Sequence, residues 1–295
     1  MKKIALGTAQ FGMDYGINNK RGKIPKEEVF EILNEALKSG IDTLDTAYSY
    51  GESETVIGEF IKEYKKKFKI VSKLPKCNLQ EVKKIFDSSL KRLNGNKLYG
   101  YMFHSFQNYV ENPRIWDILK KLKADGKIEK IGFSLYFPYE LECLLKNRIK
   151  IDIIQIPYNI FDQRFSPYFS ELKNNGVEVH VRSVFLNGIV FKNPDELSIY
   201  FVKIKEKIKK FKRLSIKFDI PIVALCLNFA ILNRFVDYVV VGIDNLENLK
   251  EIVLSSNYLA DVENILTYFS DFIENDEKII LPFNWEKNDQ AIQWK

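Results

Sequence analysis

The sequence contains few cysteines, and they are not clustered. Its three cysteines, Cys77, Cys143 and Cys226, are widely spaced and form no CxxC pair. This spacing argues against a disulfide framework and against a zinc cluster, and it favours a reducing compartment. We therefore expect a cytoplasmic protein with no metal site.

Long hydrophobic runs are also absent. After Met1, Lys2 and Lys3, only three apolar residues precede Gly7, which is too short a run for the core of a signal peptide. No later stretch reaches the roughly 18 uncharged apolar residues that a membrane span needs. We therefore predict no membrane partner.

The chain has no strong excess of charge of either sign. It has 45 Lys+Arg against 39 Asp+Glu, and the resulting net charge of +6 is spread along the chain. In the dense basic stretch Lys203 to Lys217, lysines alternate with apolar residues at helical spacing, which favours a solvated helix face. We expect no nucleic-acid partner, and nothing in the sequence indicates an oligomeric state.

What the sequence does contain is a repeated unit: a short run rich in β-branched or aromatic residues, then a longer run with apolar residues at steps of three and four. The predicted strands are Lys3–Thr8, Ile41–Asp45, Lys69–Lys73, Leu98–His104, Lys130–Ser134, Ile151–Pro157, Val177–Ser183 and Val236–Val241. The first intervening helix is predicted to begin near Pro25 and to stop at Gly40. An apolar core of this kind fits the 46% of hydrophobic residues.

Strict alternation of strands and helices predicts parallel strands joined by crossover helices. Eight units favour a closed (β/α)8 TIM barrel, of the α/β class, over an open sheet. The stretch Gly7 to Gly12 after the first strand also lacks the GxGxxG spacing of open dinucleotide-binding sheets. We predict one domain over residues 1–295, in which residues 257–295 form a C-terminal helical and irregular extension. Trp285 and Trp294 in this extension suggest a strap across the barrel that closes one side of a pocket.

In such barrels the working residues lie at the C-terminal ends of the strands and in the loops that follow. This rule selects Asp45, Lys73 and His104 at the ends of strands two, three and four, and Tyr50 in the loop after strand two. Together they suit the reduction of a carbonyl, because hydride addition leaves an alkoxide that needs a proton. Tyr50 is the candidate proton donor.

The other three residues have roles that support such a tyrosine. A Lys73 ammonium about 4 Å away would favour the phenolate by roughly 4 kcal/mol at most, and Asp45 would hold that ammonium while opposing part of its effect. A neutral His104 would donate a hydrogen bond to the substrate oxygen. Simpler interpretations remain open: a structural ion pair, a buried histidine, and loop packing for Tyr50, with Tyr48 as a rival proton donor.

The segment Asp45-Thr46-Ala47-Tyr48-Ser49-Tyr50-Gly51, followed by Glu54 and Gly58, resembles the motif of the aldo-keto reductases that carries the catalytic Asp and Tyr. Lys73 in Val71-Ser72-Lys73 and His104 after Leu98-Tyr99-Gly100-Tyr101-Met102-Phe103 match the rest of that family's tetrad. The resemblance implies a (β/α)8 barrel, a nicotinamide cofactor, and Tyr50 as proton donor in preference to Tyr48.

The resemblance continues through Gly126–Ser134 and Ile154–Asn159, where the matching Ser134 and Gln155 imply contacts with the nicotinamide carboxamide. The cofactor is NADP(H), the family's usual choice, or NAD(H). The other predicted cofactor-binding residues are Gly7, Thr8, Arg182, Ser183, Gly242, Asp244 and Asn248.

This chain departs from the family's pattern at three positions. Leu135 stands where the family usually has Asn, so one hydrogen bond to the carboxamide is lost or replaced. Arg182 replaces a common aromatic residue and is expected to stack on the nicotinamide or to meet a phosphate. Asp244 stands where Arg or Lys often holds a 2′-phosphate, which favours a free ribose hydroxyl; capping of the next helix is the other interpretation.

The resemblance and the residues together predict an NAD(P)H-dependent enzyme that reduces a small-molecule aldehyde or ketone. The segment Tyr158–Phe165 with Val181-Arg182-Ser183 is similar to a bacterial branch associated with surface-sugar gene neighbourhoods, which implies a sugar-derived carbonyl. Two alternatives are a catalytically weak cofactor-binding sensor and a Schiff-base enzyme that uses Lys73. Aromatic residues expected to line the pocket are Phe11, Tyr15, Tyr48, Phe106 and Phe161.

Overall fold

The computed structural model describes residues 3–17, 19 and 21–285. Within this part of the chain, eight parallel strands close into a barrel in sequence order. They are β1 (Ile4–Gly7), β2 (Thr43–Asp45), β3 (Lys69–Leu74), β4 (Leu98–Phe103), β5 (Ile128–Ser134), β6 (Ile153–Pro157), β7 (Glu178–Arg182) and β8 (Tyr238–Gly242). The prediction of a (β/α)8 barrel is confirmed, and each predicted strand overlaps an observed one.

The strand boundaries differ from the predicted ones by a few residues, because burial and strand pairing are not the same property. Ile41 and Ile151 are buried, as strand residues would be, but β2 and β6 begin two residues later. In the other direction, β5 begins at Ile128, which pairs with Leu98 of β4. An apolar pattern in the sequence reports burial, whereas pairing is set by the neighbouring strand.

The α-helices that surround the barrel are α1 (Ala9–Gly12), α2 (Lys26–Lys38), α3 (Ser53–Tyr64), α4 (Val82–Arg92), α5 (Phe106–Glu111), α6 (Ile115–Ala124), α7 (Pro138–Lys146), α8 (Phe169–Asn174), α9 (Val202–Phe218), α10 (Ile222–Leu232), α11 (Leu246–Ser255), α12 (Leu259–Asn264) and α13 (Glu277–Ile280). The 3₁₀ turns are Ser166–Tyr168, Leu186–Phe191, Pro194–Glu196, Ile199–Phe201, Ser256–Tyr258, Leu266–Phe272 and Pro282–Asn284. The first long helix, α2, has Pro25 as its N-cap and ends just before Ser39, close to the predicted bounds. Its apolar residues, including Val29, Ile32 and Leu33, form one stripe that is fully buried against the barrel.

The interior of the barrel is filled at its N-terminal end. Val71, Met102 and Ile153 form an apolar layer inside the barrel. Below it, Glu178 accepts hydrogen bonds from Tyr99 over 2.7 Å and contacts the buried His180 over 2.8 Å. Side chains therefore fill this end, and a cavity opens at the opposite end, where the strands have their C-termini.

The described part of the C-terminal extension, residues 257–285, contains helical turns. Trp285 is fully buried, and its indole N–H donates to the Ile279 carbonyl oxygen over 2.8 Å. None of the described residues of the extension lines the cavity at the barrel mouth, so the predicted closure of a pocket by this strap is wrong for the part seen here. Trp294, Met1 and Lys2 lie outside the described residues.

The helices offer no clear membrane span. Among the residues described, no single helix is both long and apolar enough to cross a bilayer. The segments Ile199–Phe218 and Ile222–Leu232 reach the required length and composition only together, and they are bent by 94° where they meet.

Candidate active site

A cavity of about 620 Å³ opens at the C-terminal ends of the strands. Its size suits a small-molecule or cofactor site. All the predicted catalytic and cofactor-binding residues line it except Lys73, which is buried just behind the wall. The cavity is therefore built from the strand ends and loops that the barrel rule selects.

The centre of the site is a buried ion pair between Lys73 and Asp45. The Lys73 ammonium donates to Asp45 Oδ1 over 2.6 Å and to the Thr46 carbonyl oxygen over 2.9 Å, while Gln155 Nε2 donates to Asp45 Oδ2 over 2.6 Å. The two charged side chains are only 1% and 4% exposed. Burial lowers the pKa of Lys73, and the ion pair with Asp45 opposes this effect. Gln155, predicted to contact the nicotinamide, is thus also a partner of Asp45.

Tyr50 lies between this ion pair and His104. The Lys73 Nζ is 5.2 Å from the centroid of the Tyr50 ring, and the Tyr50 and His104 rings meet edge to face with centroids 5.7 Å apart. The Lys73 ammonium donates its hydrogen bonds to Asp45 and Thr46, not to the phenol. The structure therefore brings the predicted tetrad to one place, with the ammonium beside the tyrosine ring.

The pKa of Tyr50 moves in the direction opposite to the predicted one. Burial raises it strongly above its ordinary value, and the Asp45 carboxylate raises it further. The cation that lowers it is Arg182. The expectation that Lys73 makes the phenol more acidic fails because burial, the largest influence, raises the pKa of Tyr50. At neutral pH, Tyr50 is a protonated phenol.

His104 is neutral in this environment. Burial lowers its pKa to about 4, with smaller contributions in the same direction from the charges of Lys73 and Arg182 and an opposing one from Asp45. A neutral imidazole can donate one hydrogen bond without carrying charge. This agrees with the state predicted for it.

Tyr48 has a different environment from Tyr50. The Arg92 guanidinium stacks on the Tyr48 ring at 4.1 Å from the centroid, and Arg92 Nε donates to Glu54 Oε2 over 2.9 Å. Glu54 is buried and also accepts from the Ser72 hydroxyl over 2.6 Å. Tyr48 thus belongs to a packing cluster behind the loop, whereas Tyr50 lines the cavity.

Arg182 lies on the wall of the cavity, at the end of β7. Its guanidinium stacks on the Tyr136 ring at 4.1 Å from the centroid. It donates to the Leu135 carbonyl oxygen over 3.0 Å and to the Ser183 hydroxyl over 3.3 Å. The Leu135 side chain is fully buried, so its backbone, and not its side chain, contributes to the site.

The far end of the cavity is a groove between β1 and β8. Gly7 and Gly242 are paired in register on its floor, and neither adds a side chain. Gln10 Nε2 donates to Asp244 Oδ1 over 3.2 Å. Asn245, and not Asp244, caps α11: its side chain accepts from the backbone N–H of Asn248 over 2.8 Å. The capping interpretation of Asp244 is therefore wrong, and its half-buried carboxylate faces the groove.

Of the aromatic residues expected in the pocket, Tyr15 lines the cavity, whereas Phe11, Phe106 and Phe161 are buried in the core. Several lining residues in the loops after strands were not predicted from the sequence. They are Gln10 after β1, Tyr136 after β5, and Phe185, Asn187 and Phe191 after β7. Their positions just past strand ends are the signal that would have found them. Among the described residues, no group of acidic, His and Cys side chains could hold a metal ion.

Comparisons with known proteins agree on one family. The model of the aldo/keto reductase family matches residues 3–265. The aldo-keto reductase YhdN of Bacillus subtilis is 28% identical over 189 residues, which cover 58% of this chain and 55% of that protein. The glyoxal reductase of the same organism is 29% identical over 174 residues, 56% of this chain and 61% of that protein. The chain thus spans somewhat more than half the length of these two relatives.

Other similar proteins match over most of their length. The uncharacterized oxidoreductase YqkF of Bacillus subtilis is 22% identical over 283 residues, 87% of this chain and 92% of that protein. Among solved structures, the holo form of the aldo-keto reductase AKR11C1 from Bacillus halodurans superimposes with a TM-score of 0.74 at 20% identity, over 93% of this chain and 94% of that one. At this identity the structural match supports the fold.

Proposed function

The chain belongs to the aldo/keto reductase family, and from that premise we propose that it is an NAD(P)H-dependent reductase of aldehydes or ketones with Tyr50 as the proton donor. The observation that carries the proposal is the arrangement of Tyr50 between His104 and the Lys73–Asp45 ion pair at the mouth of the barrel. A protonated phenol lining a cavity is what the reduction direction needs.

Each residue of the tetrad has a distinct part in the proposed reaction. Tyr50 gives its hydroxyl proton to the carbonyl oxygen as that oxygen gains negative charge. The neutral His104 donates a hydrogen bond to the same oxygen and orients the substrate. Lys73, held by Asp45 and the Thr46 carbonyl oxygen, places a fixed positive charge beside the ring when the phenolate forms.

The cavity fits a nicotinamide dinucleotide, which supplies the hydride when bound. Ser134 and Gln155 lie at the inner end, where they can bind a carboxamide, and the glycine floor formed by Gly7 and Gly242 leaves room for a flat group. Asn245 and Asn248 place the N-terminus of α11 on the groove, where backbone N–H groups favour a phosphate. Thr8 and Ser183 also line the cavity.

We further propose that NAD(H) is favoured over NADP(H). The acidic groups Asp244 and Glu251 line the outer part of the groove, and the nearby Arg21 is paired with Glu28 over 2.7 Å. A carboxylate repels a 2′-phosphate but can accept a hydrogen bond from a free ribose hydroxyl. Gln10 holds the Asp244 carboxylate in place for this contact.

The alternative functions have less support. A Schiff-base enzyme needs an uncharged amine that reaches the substrate. Lys73 instead is ion-paired with Asp45 and does not line the cavity. A sensor that only binds the cofactor would have no use for a protonated phenol and a neutral imidazole at the mouth. A sugar-derived carbonyl falls within the aldehydes and ketones proposed as substrates.

The test is the reduction of a panel of aldehydes and ketones with NADH or NADPH, measured by the rate at which the cofactor is oxidised. We expect Tyr50→Phe to lower kcat by about 10²–10⁴-fold, the usual range for a lost general acid. Tyr48→Phe is the matched control and should retain most of the activity, because the ring that stacks on Arg92 is kept. Equal activity of Tyr50→Phe and the wild type would refute the proposal.

A further inference from the structure

The turn after β6 contains a buried ion pair that lies outside the cavity. Arg164 donates to Asp162 through two bonds of 2.9 Å each, from Nε to Oδ1 and from Nη2 to Oδ2. The Asp162 side chain is fully buried, and that of Arg164 is 9% exposed. Asn159 closes the turn, because its side-chain oxygen accepts the backbone N–H groups of Phe161 and Asp162, each over 2.9 Å. The two-bond contact in a closed turn holds the guanidinium in one orientation.

Other N–H groups of Arg164 join two more parts of the chain. Nη1 donates to Glu277 Oε1 in the C-terminal extension over 2.8 Å, and Nη2 also donates to the Tyr136 carbonyl oxygen over 3.2 Å. The extension contacts the same turn a second time, because the Glu274 backbone N–H donates to the Phe161 carbonyl oxygen over 2.8 Å. Arg164 thus links the extension to the loop after β5.

Tyr136 is the residue of that loop that lines the cavity. Its backbone N–H donates to Glu140 over 2.7 Å, so its backbone is held at the N–H by Glu140 and at the carbonyl oxygen by Arg164. Its ring contacts the Arg182 guanidinium, 4.1 Å from the ring centroid, and meets the Phe283 ring edge to face at 5.0 Å. Neither Arg164 nor Phe283 lines the cavity. The position of this part of the wall therefore depends on residues outside the cavity.

Tyr136 is close to the proposed proton donor. Burial and the Asp45 carboxylate raise the pKa of Tyr50 most, and Tyr136 adds to their effect. Tyr136 and Tyr50 line the same cavity. A displacement of about 1 Å, caused by a residue away from the reacting atoms, can lower a rate by about 10²-fold. A shift of the Tyr136 ring is thus enough to disturb a carbonyl group held at Tyr50.

We propose that Arg164 is a positioning residue, through which the C-terminal extension fixes Tyr136 and with it the cavity wall beside Tyr50. This inference rests on the proposed reductase function and adds a residue that acts on the site from outside it. The planar guanidinium suits this task because it holds Asp162, Glu277 and the Tyr136 carbonyl oxygen in one fixed arrangement. A lysine can supply the charge but not this arrangement.

The first experiment measures kcat for aldehyde reduction per cofactor-binding site, so that unfolded protein does not count. Arg164→Lys keeps a positive charge beside the buried Asp162, and we expect kcat to fall by about tenfold or more, because a displaced wall affects the reaction even at saturation. Glu277→Ala leaves the buried pair intact and removes a half-exposed carboxylate, and it should lower kcat by about threefold. Wild-type kcat in both variants would overturn the inference.

The matched control is an ion pair at the other end of the barrel. Lys173 on α8 donates to Asp237, just before β8, over 2.7 Å, and both side chains are partly buried. Lys173→Gln should lower the thermal stability but leave kcat per cofactor-binding site unchanged. If it lowers kcat as much as Arg164→Lys does, the effect of Arg164 is one of general stability, and the inference is wrong.

A double-mutant cycle tests the route through Tyr136. Tyr136→Ala removes the ring from the cavity wall but keeps the carbonyl oxygen that Arg164 contacts. In this background Arg164→Lys should lower kcat by less than about twofold further, because residues that act through one another are not additive. The full loss in both backgrounds would show that Arg164 acts by another route, and would overturn the inference.

A measurement without substrate separates this inference from the reductase function. The backbone N–H groups of Tyr136 and Phe137 both donate to Glu140, so hydrogen exchange of a peptide over residues 135–138 reports how firmly the loop is held. Arg164→Lys should speed this exchange by about tenfold, and Lys173→Gln should not. If no aldehyde is reduced, the proposed function fails, and unchanged exchange in Arg164→Lys would overturn the positioning role on its own.

Discussion

Gly12 and Tyr50 approach each other so closely that no side chain fits between them. A Cβ atom at Gly12 would lie 1.9 Å from the Tyr50 carbonyl oxygen and 2.2 Å from the backbone nitrogen of Ser53. The Ser53 hydroxyl in turn donates to the Thr8 carbonyl oxygen over 2.9 Å. The short helix after β1 thus serves as the support on which the loop carrying Tyr50 is placed.

We therefore expect Gly12→Ala to push the Tyr50 loop away and to lower kcat/KM for carbonyl reduction by about 10²-fold, the cost of a displacement of about 1 Å in an active site. The control is Gly95→Ala, whose Cβ would have no neighbour closer than 3.7 Å. Steady-state kinetics on both folded variants provides the comparison. Wild-type activity in Gly12→Ala would show that the loop position does not depend on this contact.

The buried ion pair of Asp45 and Lys73 leads to a second prediction, which concerns the stability of the fold. Asp45→Asn leaves a buried ammonium without its counter-charge, and we expect a loss of about 3–5 kcal/mol in the free energy of unfolding. Glu129→Gln breaks the exposed Lys97–Glu129 pair, whose side chains are 58% and 46% exposed, and should cost less than about 1 kcal/mol. Urea unfolding measures both. Similar losses for the two variants would contradict the prediction.

We expect cofactor preference to depend on the carboxylate of Asp244. We expect Asp244→Asn to raise the ratio of kcat/KM with NADPH to that with NADH by about tenfold, which corresponds to roughly 1.4 kcal/mol of relieved repulsion. Glu247→Gln changes an exposed acid in the first turn of α11, close to Asp244 in sequence, that does not line the cavity, and it should leave the ratio nearly constant. A wild-type preference for NADPH that Asp244→Asn does not alter would refute the assignment.

His104 should titrate well below neutrality. Its pKa of about 4 in the folded protein is lower than the ordinary 6.5, so the protein loses stability as pH falls from 6.5 towards 4, where protonation favours the unfolded chain. The chain has two histidines, so carbon-13-labelled histidine gives a simple NMR spectrum, and His104→Gln identifies the signal. A midpoint at or above 6.5 would contradict a neutral His104 in the site.

Several features of the fold and the site could be predicted from local sequence. The eight strands were found because buried strands of a parallel sheet are short apolar runs, and Gly40 and Pro25 limit α2 in the predicted way. The rule on strand ends selected Asp45, His104 and the Tyr50 loop, all of which line the cavity. These are properties of residue type and spacing, which a single sequence contains.

Electrostatics and contacts across the chain could not be predicted in this way. The direction in which the Tyr50 pKa shifts depends on burial and on the Asp45 carboxylate. Arg182, which lowers this pKa, stands 132 residues later in the sequence, at the end of β7. The role of Asp244 could not be decided from the sequence, because only the structure shows that Asn245 is the N-cap of α11.

The sequence by itself determined the order of strands and helices and the types of polar side chain at the barrel mouth, because periodicity and strand-end position are local. Tertiary structure alone decided which charges meet. It paired Lys73 with Asp45 and placed the Arg182 guanidinium on the Tyr136 ring, since charge interactions depend on distance and burial in space.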